Sequence, residues 1–225
     1  AADEDLFKDP PPREECPICL LTMPLNEGDI AYFTCCGKQI CGGCVHAHRT
    51  ADNRRLCAFC RSPMDISHEE IIERLEKRAE GDDEVAIDQL GSHYYQGTHG
   101  LRQNLKKAMK LWLRAGKLGC AAGYYNLGNA YNQGRGVERD VKKSKYYWEL
   151  ATMGGCVQGR HNLGAIEYEA GNIDRATKHW MISGGAGYNN SLKAIRECFL
   201  NGHVTKVDFE KALRTHKEAA DEMKS

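Results

Sequence analysis

The sequence lacks any run of about eighteen apolar residues, so no membrane-spanning helix is legible in it. It also lacks a charge bias: lysine plus arginine and aspartate plus glutamate number 31 each, which removes any overall pull toward nucleic acid or a membrane surface. An initiator methionine is missing as well, and a chain opening on Ala1 is expected to be a fragment or a processed product. What remains is a chain of 225 residues, long enough for one large domain or two small ones with a buried core. The balanced charge conceals an asymmetry. Residues 85–225 hold 21 basic and 13 acidic side chains, an excess of eight positive charges that the acidic stretches before them cancel.

Cysteine is plentiful and unevenly spread. Eight of the eleven lie between Cys16 and Cys60, while Cys120, Cys156 and Cys198 are scattered over the rest. The dense group reads C-x2-C, fifteen residues, C-C, four residues, C-x2-C, twelve residues, C-x2-C. Three C-x2-C knuckles in one short segment favour zinc over a disulfide framework, because each knuckle brings two sulfurs to tetrahedral spacing on a tight turn. Eight cysteines also match two closed four-sulfur sites. A segment this small and polar cannot build a sufficient apolar core, so bound metal is expected to supply the folding energy, on the order of 10 kcal/mol per zinc. Metal use without disulfides points to a reducing compartment, cytosol or nucleus.

The stretches "CPICLLTMP" (Cys16 to Pro24), "CCGKQICGGC" (Cys35 to Cys44) and "CAFCRSPM" (Cys57 to Met64) resemble a RING finger whose eight ligands are all cysteine. The resemblance implies a cross-brace in which Cys16, Cys19, Cys41 and Cys44 hold one zinc, and Cys35, Cys36, Cys57 and Cys60 the other. One departure stands out. The family usually separates its third and fourth ligands by one residue, often with histidine as the fourth, and Lys38 occupies the histidine-like slot here. Either Cys35 and Cys36 both ligate, the assignment adopted because it completes eight sulfurs, or one is spare and His46 or His48 takes its place.

A RING finger implies recruitment of a ubiquitin-conjugating enzyme and positioning of its thioester for amine attack, with no catalytic nucleophile of its own. On that resemblance Ile18 fits the aliphatic contact position of the first knuckle. Ala58 and Phe59 fit the last knuckle, although proline often stands where Ala58 does, and Arg61 fits the arginine that bridges ubiquitin and the conjugating enzyme. Each has a plainer explanation in local packing or solvation.

Beyond Met64 the composition turns helical. "SHEEIIERLEKRAEGDD" opens with a capping box, Ser67 with Glu70, sets Ile71, Ile72 and Leu75 on one face, and ends near Gly81. An internal repeat then follows. "LGSHYYQG" (Leu90 to Gly97) aligns with "LGNAYNQG" (Leu127 to Gly134), "LGAIEYEAG" (Leu163 to Gly171) and "IRECFLNG" (Ile195 to Gly202), at intervals of 37, 36 and 32 residues. Trp112, Trp148, Trp180 and His216 share one position, four residues after Ala108, Ser144, Ala176 and Ala212. Asn104, Asp140 and Asp208 read as N-caps of second helices. Cys120 and Cys156 occupy equivalent positions, which marks them as small buried residues. The stretch "LGNAYNQGRGVERDVKKSKYYWELATMGG" resembles the Sel-1-like repeat, a relative of the tetratricopeptide repeat.

The expected fold is mostly α: a small two-zinc RING module followed by an α-solenoid of about four helix hairpins. The expected segments are a disordered acidic and proline-rich stretch over 1–15, the zinc module over 16–66, a bridging helix over 67–81 and repeats over 82–118, 119–154, 155–186 and 187–222. The expected function is that of a RING-type ubiquitin-protein ligase whose repeats hold a client protein or peptide. The excess positive charge on the array makes an acidic client, or the chain's own acidic start, a candidate occupant. A zinc-binding scaffold without ligase activity is the alternative. Nucleic acid is disfavoured because the basic residues are dispersed, without an aromatic-interleaved stripe.

Overall fold

Helix pairing in the repeat region follows from one recurring steric match, a glycine on the first helix facing a tryptophan on the second. The computed structural model describes residues 3–8, 10–25, 27–51 and 55–223, and the chain folds into two compact units. Residues 14–127 form one unit; residues 128–225, with the segment before residue 14, form the other. Eleven α-helices are present among the described residues, and none is long and apolar enough to cross a membrane.

In the first unit the cysteine-rich segment comes first. A 3-10 turn, Glu27–Asp29, leads into an antiparallel ribbon of Ile30–Tyr32 (β1) and Gln39–Cys41 (β2), followed directly by Gly42–Ala51 (α2). The buried side chains are few: Cys16, Met23, Phe33, Ile40 and Cys57. The bridging helix His68–Glu80 (α3) is capped by Ser67, whose hydroxyl accepts from the Glu70 N–H at 3.1 Å. Glu70 turns away from the cap to pair with Arg74 at 2.6 Å. Ile72, Leu75 and Ala79 form the buried face of α3, which packs on Glu84–Gln96 (α4). Ile71 is only half-buried. A polar knot ties the ribbon to this corner: the Tyr32 hydroxyl donates to Asp83 at 2.8 Å, and Arg78 Nε reaches both partners. Asp83 is also the N-cap of α4.

Leu105–Leu118 (α5) pairs with α4. A Cβ built on Gly91 would stand 2.8 Å from the Trp112 ring, so the helices approach as closely as they do only because residue 91 has no side chain. Ala121–Gln133 (α6) contributes its first residues to this unit, and Tyr124 covers Gly116 of α5 in the same manner.

The second unit repeats the device. Gly128 faces Trp148 of Val141–Met153 (α7) with 2.3 Å for an added Cβ, and Gly164 of Val157–Glu169 (α8) faces Trp180 of Ile173–Gly185 (α9) with 2.4 Å. In the last pair, Asn189–Leu200 (α10) and Lys206–Glu222 (α11), the glycine position is Arg196 and the tryptophan position is His216: both halves of the match change together. Ala108, Ser144, Ala176 and Ala212 are all fully buried, one turn before each aromatic. Asn104 and Asp140 cap α5 and α7 through the N–H groups of Lys107 and Lys143.

Three expectations need correction. The α11 cap is Thr205, not Asp208; Asp208 sits three residues in and accepts from the Thr205 hydroxyl at 2.6 Å, a box that Thr205 opens one turn earlier. Cys156 is not a plain buried side chain but the N-cap of α8, its sulfur accepting from the Gly159 N–H at 3.4 Å. The segment 1–15, expected to be disordered, is ordered in its described part: Asp3–Leu6 (α1) packs on α7, and Leu6 is 2 % exposed. Leu6 and Phe7 find apolar and cationic partners on the array that a reading of the acidic composition alone does not supply. Residues 1, 2 and 9 lie outside the described residues.

Candidate metal centres

Two knuckles of the cysteine module share one backbone design. In each, the residue after the second cysteine, Leu20 or Arg61, takes a left-handed conformation with φ of 61° or 60°. Its N–H then returns to the carbonyl of the first cysteine, Leu20 to Cys16 at 2.8 Å and Arg61 to Cys57 at 3.1 Å. Short antiparallel bridges, Glu15 with Thr22 and Leu56 with Pro63, close the two turns. This geometry aims both sulfurs of a knuckle to the same side. The other pairs come from the ribbon: Cys35 and Cys36 on the turn before β2, and Cys41 and Cys44 across the end of β2 and the first turn of α2, where unsatisfied helical N–H groups favour negative charge.

The chain interleaves these pairs. Cys16 and Cys19 meet Cys41 and Cys44, and Cys35 and Cys36 meet Cys57 and Cys60, with the sulfurs of each group all within 4.8 Å of one another. Sulfurs from different pairs approach to 3.8 Å for Cys19 with Cys41, 3.7 Å for Cys36 with Cys57 and 3.3 Å for Cys60 with Cys35. Four thiolates on a tetrahedral metal at about 2.3 Å stand roughly 3.8 Å apart, so the spacing suits a shared ion. It does not suit disulfides, whose sulfurs are about 2.05 Å apart, and all eight cysteines are free. Each group could hold one metal ion.

Electrostatics lead to the same donor set. Burial opposes ionisation of Cys16, yet the N–H groups of Cys19, Cys41 and Ile18 bring its pKa down to about 6. The Ser62 hydroxyl, 3.3 Å away, does the same for Cys60, also to about 6. Burial and the adjacent sulfurs push Cys35 and Cys44 well up, and burial raises Cys36 and Cys41 too. Each group therefore contains one easily formed thiolate, Cys16 or Cys60, and two thiols pushed up by burial, Cys41 with Cys44 or Cys35 with Cys36, whose ionisation a bound cation would favour.

Neither histidine held open as a substitute belongs to either group. The His48 ring donates from Nε2 to the Leu56 carbonyl at 2.6 Å, which commits that nitrogen, and His46 is exposed. Lys38 serves through its backbone, accepting from the Phe33 N–H. Around the centres, Ile18 is 46 % exposed and Phe59 38 %, with Ala58 half-buried and Arg61 exposed. The Phe59 ring meets Phe33 edge to face at 6.0 Å. Leu20, 70 % exposed, is a further apolar side chain on the first knuckle that the motif does not single out; its place after a knuckle, matching Arg61, is the signal that marks it.

Comparison with known proteins supports the repeat region. Residues 85–120, 121–156 and 194–222 match the Sel1 repeat. A Sel1 repeat protein from Oxalobacter formigenes superposes with a TM-score of 0.59 at 25 % identity over 68 % of this chain. A protective antigen present in uropathogenic Escherichia coli strains, displaying an SLR fold, gives a TM-score of 0.57 at 27 % identity over 67 %. The chain covers 64 % and 33 % of the lengths of these two proteins. Residues 85–156 and 194–222 thus carry matches to the Sel1 repeat, and they follow a module with two cysteine groups able to hold metal.

Proposed function

We propose that residues 16–66 form a two-zinc RING-type module that recruits a ubiquitin-conjugating enzyme, and that the repeats hold the client, making the chain a RING-type ubiquitin-protein ligase. The observation that carries this reading is the interleaving: first with third cysteine pair, second with fourth, in a segment with few buried apolar side chains. Zinc in these sites would be structural, replacing a core and fixing the two knuckles. Exposed Ile18 and Phe59 supply apolar contact for the conjugating enzyme, and Arg61 supplies a cation beside the last ligand. The work left to such a module is orientation of a thioester carried by its partner, which lowers a barrier without a nucleophile. Stacked helix pairs present broad surfaces suited to protein partners, which supports the array as the client-binding part.

A non-catalytic scaffold is the second reading, and Arg61 favours it: Leu20 makes the same turn, so knuckle geometry alone accounts for where Arg61 lies. Discharge of ubiquitin from a panel of loaded conjugating enzymes, with and without chelator, separates the two. A ligase accelerates discharge in a chelator-sensitive way. Ile18→Ala weakens conjugating-enzyme binding without releasing zinc, and Arg61→Ala slows discharge more than it weakens binding. Discharge at the uncatalysed rate with every enzyme of the panel leaves the scaffold.

A further inference from the structure

The segment before residue 14 lies on the face of α7, α8 and α9 in a way unlike ordinary chain packing. Arg160 of α8 is 3 % exposed, yet its guanidinium donates to main-chain carbonyls, Leu6 at 2.9 Å and Lys8 at 3.3 Å. Carbonyls are common to every peptide, so this clamp does not depend on the identity of residues 6 and 8. The Phe7 ring meets His179 of α9 at 4.7 Å with the planes tilted by 39°, and the Arg175 and Lys178 cations lie 5.3 and 5.7 Å from it. That arrangement does select, for an aromatic ring among cations. Beside them Glu167 is buried under Lys145, 2.6 Å away, and Arg175.

Two observations argue that this face serves more than its resident. His179 is fully buried and neither ring nitrogen has a hydrogen-bond partner among the described residues, a mismatch that a surface shaped solely for residues 3–8 has no reason to keep. And α1 spans four residues, far below the length at which a helix holds its own shape, so its order is borrowed from the array and can be surrendered. Its continuation runs with Pro11 against Gly155 and with Arg13 reaching the Met223 sulfur at 3.1 Å.

We propose that the face bearing Arg160, Arg175, Lys178 and His179 is the client site of the array, held in cis by residues 5–8, and that its client is a protein segment with acidic residues leading into an adjacent leucine and aromatic pair on one helical turn. The inference rests on the reading of the array as the client-binding part. Acidic flanks follow from the field of the three cations, and from the sequence "DEDLF" itself, in which acids precede the apolar pair. The resident acts as a placeholder that any client must displace, so deleting its apolar pair frees the site.

The test uses a labelled peptide of residues 1–13 as probe and the full zinc-loaded chain as receptor, read by fluorescence anisotropy. The Leu6→Ala/Phe7→Ala chain should bind the probe at least tenfold more tightly than the parent. Adding Arg160→Gln should remove at least that gain, and a probe carrying Phe7→Ala should fail on every chain. Equal affinity for the parent and the double variant, or binding unaffected by Arg160→Gln, overturns the proposal. A measurement on the unaltered chain guards against variants that fold badly. Amide hydrogens of residues 3–8 should exchange at least a hundredfold faster than those of α8 and α9, and equal protection would make the segment a fixed part of the core and overturn the placeholder. Loss of probe binding with ubiquitin discharge intact sinks this inference alone, whereas absent discharge with probe binding intact sinks only the ligase reading.

Discussion

The cysteine module and the helical array both close around small cores, but they recruit different forces to do it. In the module two of the five buried side chains are themselves candidate ligands, Cys16 and Cys57, and the remaining apolar cover is Met23, Phe33 and Ile40. In the array, aromatic rings fill spaces left by glycines, and an alanine or serine with no exposed surface lies one turn away from each ring. The first arrangement has little apolar surface to close on and gathers its sulfurs into two groups that could each hold a metal ion. The second stands on van der Waals contact repeated pair by pair, so damage to one pair is felt by its neighbours alone. The difference teaches that a segment gathering eight sulfurs into two candidate metal sites and a segment packed ring against glycine can share one chain.

Removing metal should give the largest effect. Chelation, or Cys16→Ser combined with Cys57→Ser, is expected to unfold residues 16–66, a loss on the order of 10 kcal/mol per site. Far-ultraviolet circular dichroism should retain most of its helical signal, since ten of the eleven described helices lie outside that segment. Collapse of the helical signal on chelation would break the comparison.

Acid should strain the array through His179. Burial first, and then the Arg160 charge, lower its pKa to about 4 from an ordinary 6.5, with Arg175 and Lys145 acting in the same direction and Glu167 against. Between those values the unfolded chain binds the extra proton, so the contribution is complete above pH 6.5, declines as pH falls toward 4, and is lost below it. Urea titrations at pH 7 and pH 5 should differ by about 2 kcal/mol from this group. His179→Gln should flatten that slope. His93 in the other unit, also lowered to about 4 by burial, adds a slope of the same sign there.

Overpacking comes next. Gly128→Ala drives a methyl group into the Trp148 ring and should cost about 2 kcal/mol, whereas an alanine at Arg196, the equivalent position facing His216, should be near neutral. Thermal melts of both variants measure the contrast. The smallest effect belongs to the polar knot. Tyr32→Phe removes a hydroxyl bonded to Asp83 and Arg78 and should lower stability by about 1 kcal/mol without altering metal content.

The repeat is legible from sequence because its signal is local and periodic: the leucine-glycine step and the tryptophan recur in register, and the exceptional Arg196 and His216 depart together. The cysteine spacing is legible for the same reason, although the partner of each pair follows from resemblance, not from the spacing. Caps can be read where the residue stands immediately before its helix, at Asn104 and Asp140, and are misread at α11, where Thr205 and Asp208 both suit the role. What sequence does not disclose is long-range and chemically ordinary. Arg78, Tyr32 and Asp83 carry no pattern that announces their meeting, and the clamp of Arg160 on Leu6 joins residues more than 150 positions apart. Acidic residues before Leu6 suggest a solvated segment, which describes Asp5 and says nothing of the two apolar side chains that follow.

The most direct test is the metal content of the intact chain by native mass spectrometry. The expected result is two zinc ions per chain, both lost when Cys16→Ser and Cys57→Ser are combined and one retained in each single variant. One ion or none in the parent chain, or two ions surviving the double variant, would contradict the paired cysteine centres on which the account is built.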